Sequence, residues 1–191
     1  MVLRYILRHL KNKTSDDLAV PPNMTFNQKI SAYTLGFLTD KDLPDIAITG
    51  LEEGYDSESL RILAGHNSTD NAFQMVDYFS SSLKELRLTQ PDRKTALINV
   101  IKYYTHQIVR KQVDPYLGFE KIQEAINKTE FYYDDINLMN CYGDYISIWE
   151  VKSDGLQLHT GSGMTKEQYI EKTKEDLVFH LKDWLTEIGG T

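Results

Sequence analysis

Two glycines in the segment LEEGYDSESLRILAG, residues 51–65, each follow a run with the apolar spacing of a helix. Glycine is common directly after a helix because it adopts the left-handed, positive-φ conformation that ends one. We therefore predict that one helix ends at Gly54 and that the next, about two turns long, ends at Gly65, both glycines with positive φ. A short helix between two such ends is predicted to redirect the chain between longer helices, as in stacked arrays of helical hairpins.

Apolar residues recur at helical spacing along most of the chain. Leu43, Ile46 and Ala47 share one face, and the same spacing returns in later segments. Thr165 and Gln168 have the spacing of a capping box at the start of the last such segment. We predict helices near residues 1–13, 26–38, 42–53, 57–64, 69–86, 91–108, 114–127 and 165–188.

Residues 145–151, YISIWEV, have a different texture. They alternate and are rich in β-branched and aromatic side chains, which favour strands. With the turn-forming KSDG that follows, they predict a small β-hairpin near residues 145–160, and a helix is the alternative.

The predicted fold is a single all-α domain of about seven or eight helices over residues 1–191. Residues 1–24 are interpreted as an N-terminal helix and loop, and residues 25–128 as the helical core. Residues 129–164 are an aromatic and acidic segment, and residues 165–191 hold the C-terminal helix.

The charge balance limits the partners that the chain can bind. There are 21 Lys and Arg residues against 28 Asp and Glu residues, a net charge of −7. A general affinity for nucleic acid needs a concentrated positive field and is not expected, whereas a basic protein partner is compatible with this charge. No run approaches the ~18 apolar residues of a membrane span, so no membrane partner is expected.

Cys141 is the single cysteine of the chain, which excludes an internal disulfide and a cysteine-based zinc site. A lone thiol is typical of a reducing compartment, so a cytoplasmic location is expected. The histidines lack metal-ligand spacing, and no metal or cofactor is predicted. No nucleotide-binding, zinc-protease or serine-hydrolase motif is present, which favours a protein that is not an enzyme.

The charged residues of segment 51–65 have a structural interpretation. Asp56 is predicted to cap the short helix by accepting the backbone N–H of Glu58 or Ser59. Arg61 is predicted to form an ion pair with a nearby carboxylate, Glu53 being the first choice. In this interpretation the whole segment serves folding.

The alternative is that these side chains form a site. Paired carboxylates can perform acid–base chemistry or hold a divalent cation. A small-molecule or hydrolytic module would then have a pocket between helices that gathers Glu53, Asp56, Arg61, Tyr104 and His106.

The segment from residue 129 onward combines aromatic and acidic residues with few cations. Tyrosine and tryptophan are favoured anchors of protein interfaces, and acidic neighbours select a basic partner. We predict a partner-binding surface formed by Tyr132, Tyr133, Asp134, Asp135, Asp144, Tyr145 and Trp149. The alternative is a core of aromatic side chains with a solvated acidic rim.

Two segments carry a family resemblance, which covers residues 42–127. The pattern E-G-x-D-S-x-x-L-R-x-L-A-G is matched by Glu53, Gly54, Asp56, Ser57, Leu60, Arg61, Leu63, Ala64 and Gly65. The later pattern I-x-x-x-x-x-x-P-x-x-G-x-x-x-I is matched by Ile108, Pro115, Gly118 and Ile122. The chain thereby resembles a family of small uncharacterised bacterial helical proteins, and the resemblance implies an all-helical fold without implying an activity.

Small acidic bacterial proteins without catalytic motifs are also similar to the immunity proteins of toxin systems. This likeness implies an inhibitor that binds a basic toxin or enzyme. The sequence therefore favours a non-catalytic bacterial interaction protein of immunity type, with the small-molecule or hydrolytic module as the alternative.

Overall fold

Eight α-helices form the regular structure of residues 23–153 and 163–188, the ranges that the computed structural model describes. They are α1 (Phe26–Thr34), α2 (Leu43–Glu52), α3 (Glu58–Ala64), α4 (Ala72–Glu85), α5 (Arg93–Val109), α6 (Pro115–Asn127), α7 (Met139–Lys152) and α8 (Lys166–Glu187). Single 3₁₀ turns cover Asp40–Asp42 and Asp134–Ile136. The predicted all-α fold is confirmed, and the predicted helix over residues 1–13 lies outside the described ranges.

Helix α7 replaces the predicted β-hairpin over its first half. Residues Met139–Lys152 are helical, so the strand prediction for residues 145–151 is wrong. Cys141, Tyr145, Ile148 and Val151 have helical spacing as well, and all four are buried. Packing against α8 therefore overrides the strand preference of the individual residues. The second half of the predicted hairpin, residues 154–160, lies outside the described ranges.

The buried apolar residues form two clusters. The smaller core is built by α1 to α4, and the larger core is built by α5 to α8 together with residues in and around α1. Helix α1 contributes to both, since Phe26 and Ile30 face the smaller core while Ala32 belongs to the larger one. The predicted helical core of residues 25–128 is therefore divided at the connection between α4 and α5.

Helix α1 is fastened to α2 by polar contacts at two places. The Lys29 side chain is only 5% exposed, and its Nζ lies 2.6 Å from Asp45 Oδ2. The same ammonium donates to Thr49 Oγ1 at 2.7 Å. At the start of α1, the N–H of Phe26 donates to Glu53 Oε1 at 2.8 Å. These contacts hold α1 against α2, on the side of the smaller core.

Helices α5 and α6 approach closely where one residue lacks a side chain. A Cβ atom at Gly118 would lie 2.5 Å from Ile108 Cγ1 and 2.9 Å from Val113 Cγ1. Gly118 therefore allows the start of α6 to pack on the end of α5.

In the described ranges no helix combines the length and apolar character that crossing a membrane requires.

We expect Gly118→Ala to lower the free energy of unfolding by about 1–3 kcal/mol, because the added methyl group overpacks this contact. Gly143→Ala is the matched control, since Gly143 lies inside α7 with no atom within 4 Å of a built Cβ. The control should raise the free energy of unfolding by about 0.5–1 kcal/mol through helix propensity. Urea denaturation measures both values, and equal effects would contradict the close approach.

Candidate functional site

The segment 51–65 forms a junction between helix ends. Gly54 has φ of +89° after the end of α2, which confirms the predicted left-handed residue. Gly65 has φ of −84°, so the prediction of positive φ there is wrong. The end of α3 is closed instead by the Gly65 N–H, which donates to the Ile62 carbonyl at 3.0 Å.

Ser57, rather than Asp56, caps helix α3. The extended backbone of Ser57 places its hydroxyl to accept the Leu60 N–H at 3.3 Å. Both carboxylate oxygens of Asp56 accept from Arg61 Nη1, at 2.9 and 3.1 Å. The predicted cap at Asp56 is therefore wrong. Arg61 has an acidic partner as predicted, but this partner is Asp56 and not Glu53.

Two glutamates reach the junction from distant parts of the chain. Glu53 accepts the first N–H of α1, and Glu85, at the end of α4, accepts the Ser59 N–H at 3.0 Å and its hydroxyl. The Ser59 hydroxyl and then its N–H hold the pKa of Glu85 below its usual value. Each carboxylate satisfies a donor that a helix start leaves without an intrahelical partner. Glu53 thus joins the end of α2 to α1, and Glu85 joins α4 to α3. The Asp56–Arg61 pair is local to the start of α3.

The five residues of the predicted pocket lie at different places in the structure. Glu53, Asp56 and Arg61 make the contacts above, while Tyr104 is buried in the larger core. His106 lines a pocket between α1 and α5 that none of the other four residues lines. The structural interpretation of segment 51–65 accounts for Glu53, Asp56 and Arg61.

The aromatic residues of the predicted partner-binding surface divide into two groups. Tyr133 stacks on Tyr142 with ring centres 4.1 Å apart, and Tyr145 stacks on Tyr116 at 5.0 Å. Tyr145 is only 3% exposed, and Trp149 packs against the larger core. Tyr145 therefore has to be removed from the predicted surface, because its ring already fills the core.

Asp144 also has a partner inside the fold. Its Oδ2 lies 2.6 Å from Nδ1 of His180, which joins α7 to α8. Partial burial raises the pKa of Asp144, and the hydrogen bond from His180 opposes this shift. Asp144 thus connects two helices and contributes little free charge to the surface.

The exposed group lies in the connection between α6 and α7. Tyr132 is 74% exposed, and Asp134 and Asp135 are exposed beside it. Met139, at the start of α7, is 46% exposed. The sequence analysis did not include it in the predicted surface. Its place at the start of a helix was the one signal that could have indicated its exposure. Tyr132, Asp134, Asp135 and Met139 are called the acidic loop below.

Hydrogen bonds hold the acidic loop in one conformation. The Tyr132 N–H donates to Asp135 Oδ2 at 2.8 Å, and the loop closes where the Leu138 N–H donates to the Tyr133 carbonyl at 2.8 Å. The buried indole of Trp184 donates to the Ile136 carbonyl at 2.7 Å. The loop is therefore anchored to α8 while its aromatic and acidic side chains point outward.

A groove of about 620 Å³ lies between α8 and the connection from α5 to α6. Its apolar walls include Val113, Val178 and Phe179. Lys174, in the same groove, is paired with Asp114 at 2.7 Å, and Asp114 also caps α6. Asp114 and Lys174 thus join α6 to α8 at this place.

Two further observations concern reactive groups. Within residues 23–153 and 163–188, no three His, Cys, Asp or Glu side chains are grouped so as to hold a metal ion. Cys141 is buried, and its burial raises the pKa of the thiol to about 12. A thiol with such a pKa is almost entirely protonated near neutral pH and is a poor nucleophile.

Comparison with other proteins adds no family assignment. No protein-family model, no curated protein and no solved structure matches the chain. Function therefore has to be argued from the geometry of the described residues.

We expect Ser57→Ala to lower the free energy of unfolding by about 0.5–2 kcal/mol, because the α3 cap is lost. Asp56→Ala should cost less than about 1 kcal/mol, since both side chains of the Asp56–Arg61 pair are mostly exposed. Chemical denaturation of both variants tests this order. A larger loss for Asp56→Ala would return the capping role to Asp56.

We also expect the Glu85 carboxylate to contribute to the loss of folding stability at low pH. Its pKa is lowered in the folded state, so its stabilising effect is present above its unfolded pKa and is lost as the pH falls through its folded pKa. The free energy of unfolding should therefore fall less between pH 6 and pH 3 in Glu85→Gln than in the unaltered chain. Glu175→Gln removes an exposed carboxylate from α8 as a matched control, and its pH profile should follow the unaltered chain.

Proposed function

We propose that this chain is a non-catalytic interaction protein that binds a basic protein partner through the acidic loop. The observation that carries the proposal is the 74% exposure of Tyr132 beside two carboxylates, Asp134 and Asp135, that have no cationic partner among the described residues. Exposed tyrosines are frequent energetic anchors of interfaces. Their carboxylate neighbours favour lysine or arginine on the partner.

The fixed conformation of the loop supports this proposal. Ordering a mobile loop on binding costs conformational entropy, which reduces affinity. The acidic loop is already ordered in the folded chain by the backbone hydrogen bonds of Tyr132 and Leu138 and by the hydrogen bond from Trp184. Its conformational entropy is therefore lost on folding and not on binding. A partner therefore meets a preformed surface.

The charge of the whole chain supports the same partner class. A net charge of −7 attracts a basic protein over distances of about a Debye length, near 10 Å at 0.1 M salt. A basic toxin or enzyme that is blocked by an inhibitor of the immunity type would fit this chemistry. Such an inhibitor needs affinity and a covering surface, and it needs no catalytic group of its own.

The test compares two matched double variants in affinity purification from the source cells. Tyr132→Ala/Asp134→Asn removes one exposed aromatic ring and one carboxylate from the acidic loop. Phe73→Ala/Asp77→Asn removes the same two groups from α4, where Phe73 is 83% exposed. We expect a basic protein to be captured by the unaltered chain and by the α4 variant, and to be lost from the loop variant.

Circular dichroism has to show that both variants remain folded, with melting temperatures close to that of the unaltered chain. The captured protein should then bind the purified chain with an affinity that falls as salt is added, because exposed charges are screened. Capture that survives in the loop variant, or that disappears equally in both variants, would rule out the acidic loop as the binding surface.

A further inference from the structure

A second pocket lies at the junction between the two cores and shares no residue with the acidic loop. It has a volume of about 390 Å³. Its walls are the first half of α1, the connection between α4 and α5, and the middle of α5. Since α1 packs on both cores, a ligand here would contact both halves of the structure.

The lining of this pocket is rich in hydrogen-bonding groups and contains no carboxylate. It consists of Thr25, Asn27, Gln28, Ile30, Ser31, Leu88, Thr89, Pro91, Asn99, Lys102 and His106. The chain as a whole carries 28 Asp and Glu residues. In an acidic protein, a pocket lined by a lysine and a histidine and by none of the carboxylates favours an anionic ligand.

The two basic side chains lie one turn apart on the same face of α5. Among the described residues, Lys102 Nζ has one hydrogen-bond partner, the Ile188 carbonyl at a long distance of 3.4 Å. The imidazole of His106 has no hydrogen-bond or ion-pair partner within the described residues. Partial burial, followed by the positive charges of Arg110 and Lys102, lowers the pKa of His106. An anion between Lys102 and His106 would give the Lys102 ammonium a second acceptor beside the Ile188 carbonyl and would give the His106 imidazole its first among the described residues.

Two hydrogen bonds in the same pocket orient the side-chain amide of Asn99, an uncharged donor. The Ser31 hydroxyl donates to the Asn27 carbonyl at 2.8 Å, so the Ser31 oxygen accepts from Asn99 Nδ2 at 3.1 Å. This arrangement sets the orientation of the Asn99 amide. Asn99 lies one turn before Lys102 on α5, so amide and ammonium line one wall of the pocket.

We propose that this pocket binds a compact oxyanion, the phosphate group of a small polar molecule, between Lys102 and His106. A charged hydrogen bond from lysine to a phosphate oxygen is short and strong, and the negative charge of a bound phosphate would favour the protonated form of the neighbouring imidazole. The volume leaves room for a small hydroxylated body beside the phosphate group, against the threonine and amide groups of α1. The site is independent of the proposed protein partner.

The probes are inorganic phosphate and pyrophosphate, titrated into the full chain by calorimetry at constant ionic strength and pH 6.5. We expect saturable one-site binding to the unaltered chain. Lys102→Gln should weaken it by about tenfold because a charged donor is removed, and His106→Gln by about fivefold because the imidazole donor is removed. Lys94→Gln removes the same charge from the exposed start of the same helix, and we expect its affinity to stay within about twofold.

Nuclear magnetic resonance of the unaltered chain locates the site without any substitution. Phosphate should shift the backbone amide signals of Thr25, Asn27 and Thr89, which line the pocket, and leave those of the acidic loop unchanged. Three results would overturn the proposal. They are the absence of saturable binding, an equal loss in Lys94→Gln and Lys102→Gln, and signal changes that lie elsewhere in the chain.

Discussion

Helix α1 has to pack on two hydrophobic cores at once, and the arrangement of the other helices depends on how it does so. Its one charged side chain, Lys29, has a buried stem, and its ammonium reaches Asp45, whose side chain is 69% exposed. The apolar stem thus adds to the smaller core while the charge is compensated at its edge. This contact, with the Glu53 cap, sets α1 on α2 and leaves the opposite face of α1 for α5.

Most helices could be predicted from the sequence because apolar spacing and local caps are short-range signals. The capping box of Thr165 and Gln168 is an example, and both of its hydrogen bonds form. Asp56 and Ser57 are adjacent and equally suitable caps, and the choice depends on the path by which the chain leaves α2. The contacts Glu53–Phe26 and Ser59–Glu85 join residues 27 and 26 positions apart, so they depend on tertiary packing that no local pattern contains.

The candidate surface shows the same limit. The sequence identified an aromatic and acidic segment, but it could not separate the tyrosines that face outward from those that stack. Tyr132 and Tyr133 are neighbours, yet one is exposed and the other lies against Tyr142, because the 3₁₀ turn that follows directs their side chains apart. The sequence therefore indicated which residue types the segment contains. The packing of α7 on α8 decides which of these side chains remain exposed to a partner.

The division into two cores also determines what optical spectroscopy can observe. Both tryptophans, Trp149 and Trp184, belong to the larger core, and the smaller core contains only tyrosine and phenylalanine as aromatic residues. Indole emission consequently reports the solvation of α5 to α8 and is insensitive to the opening of α2, α3 and α4. Far-ultraviolet dichroism responds to every helix. A midpoint that differs between the two signals would reveal that the two halves lose structure in separate steps.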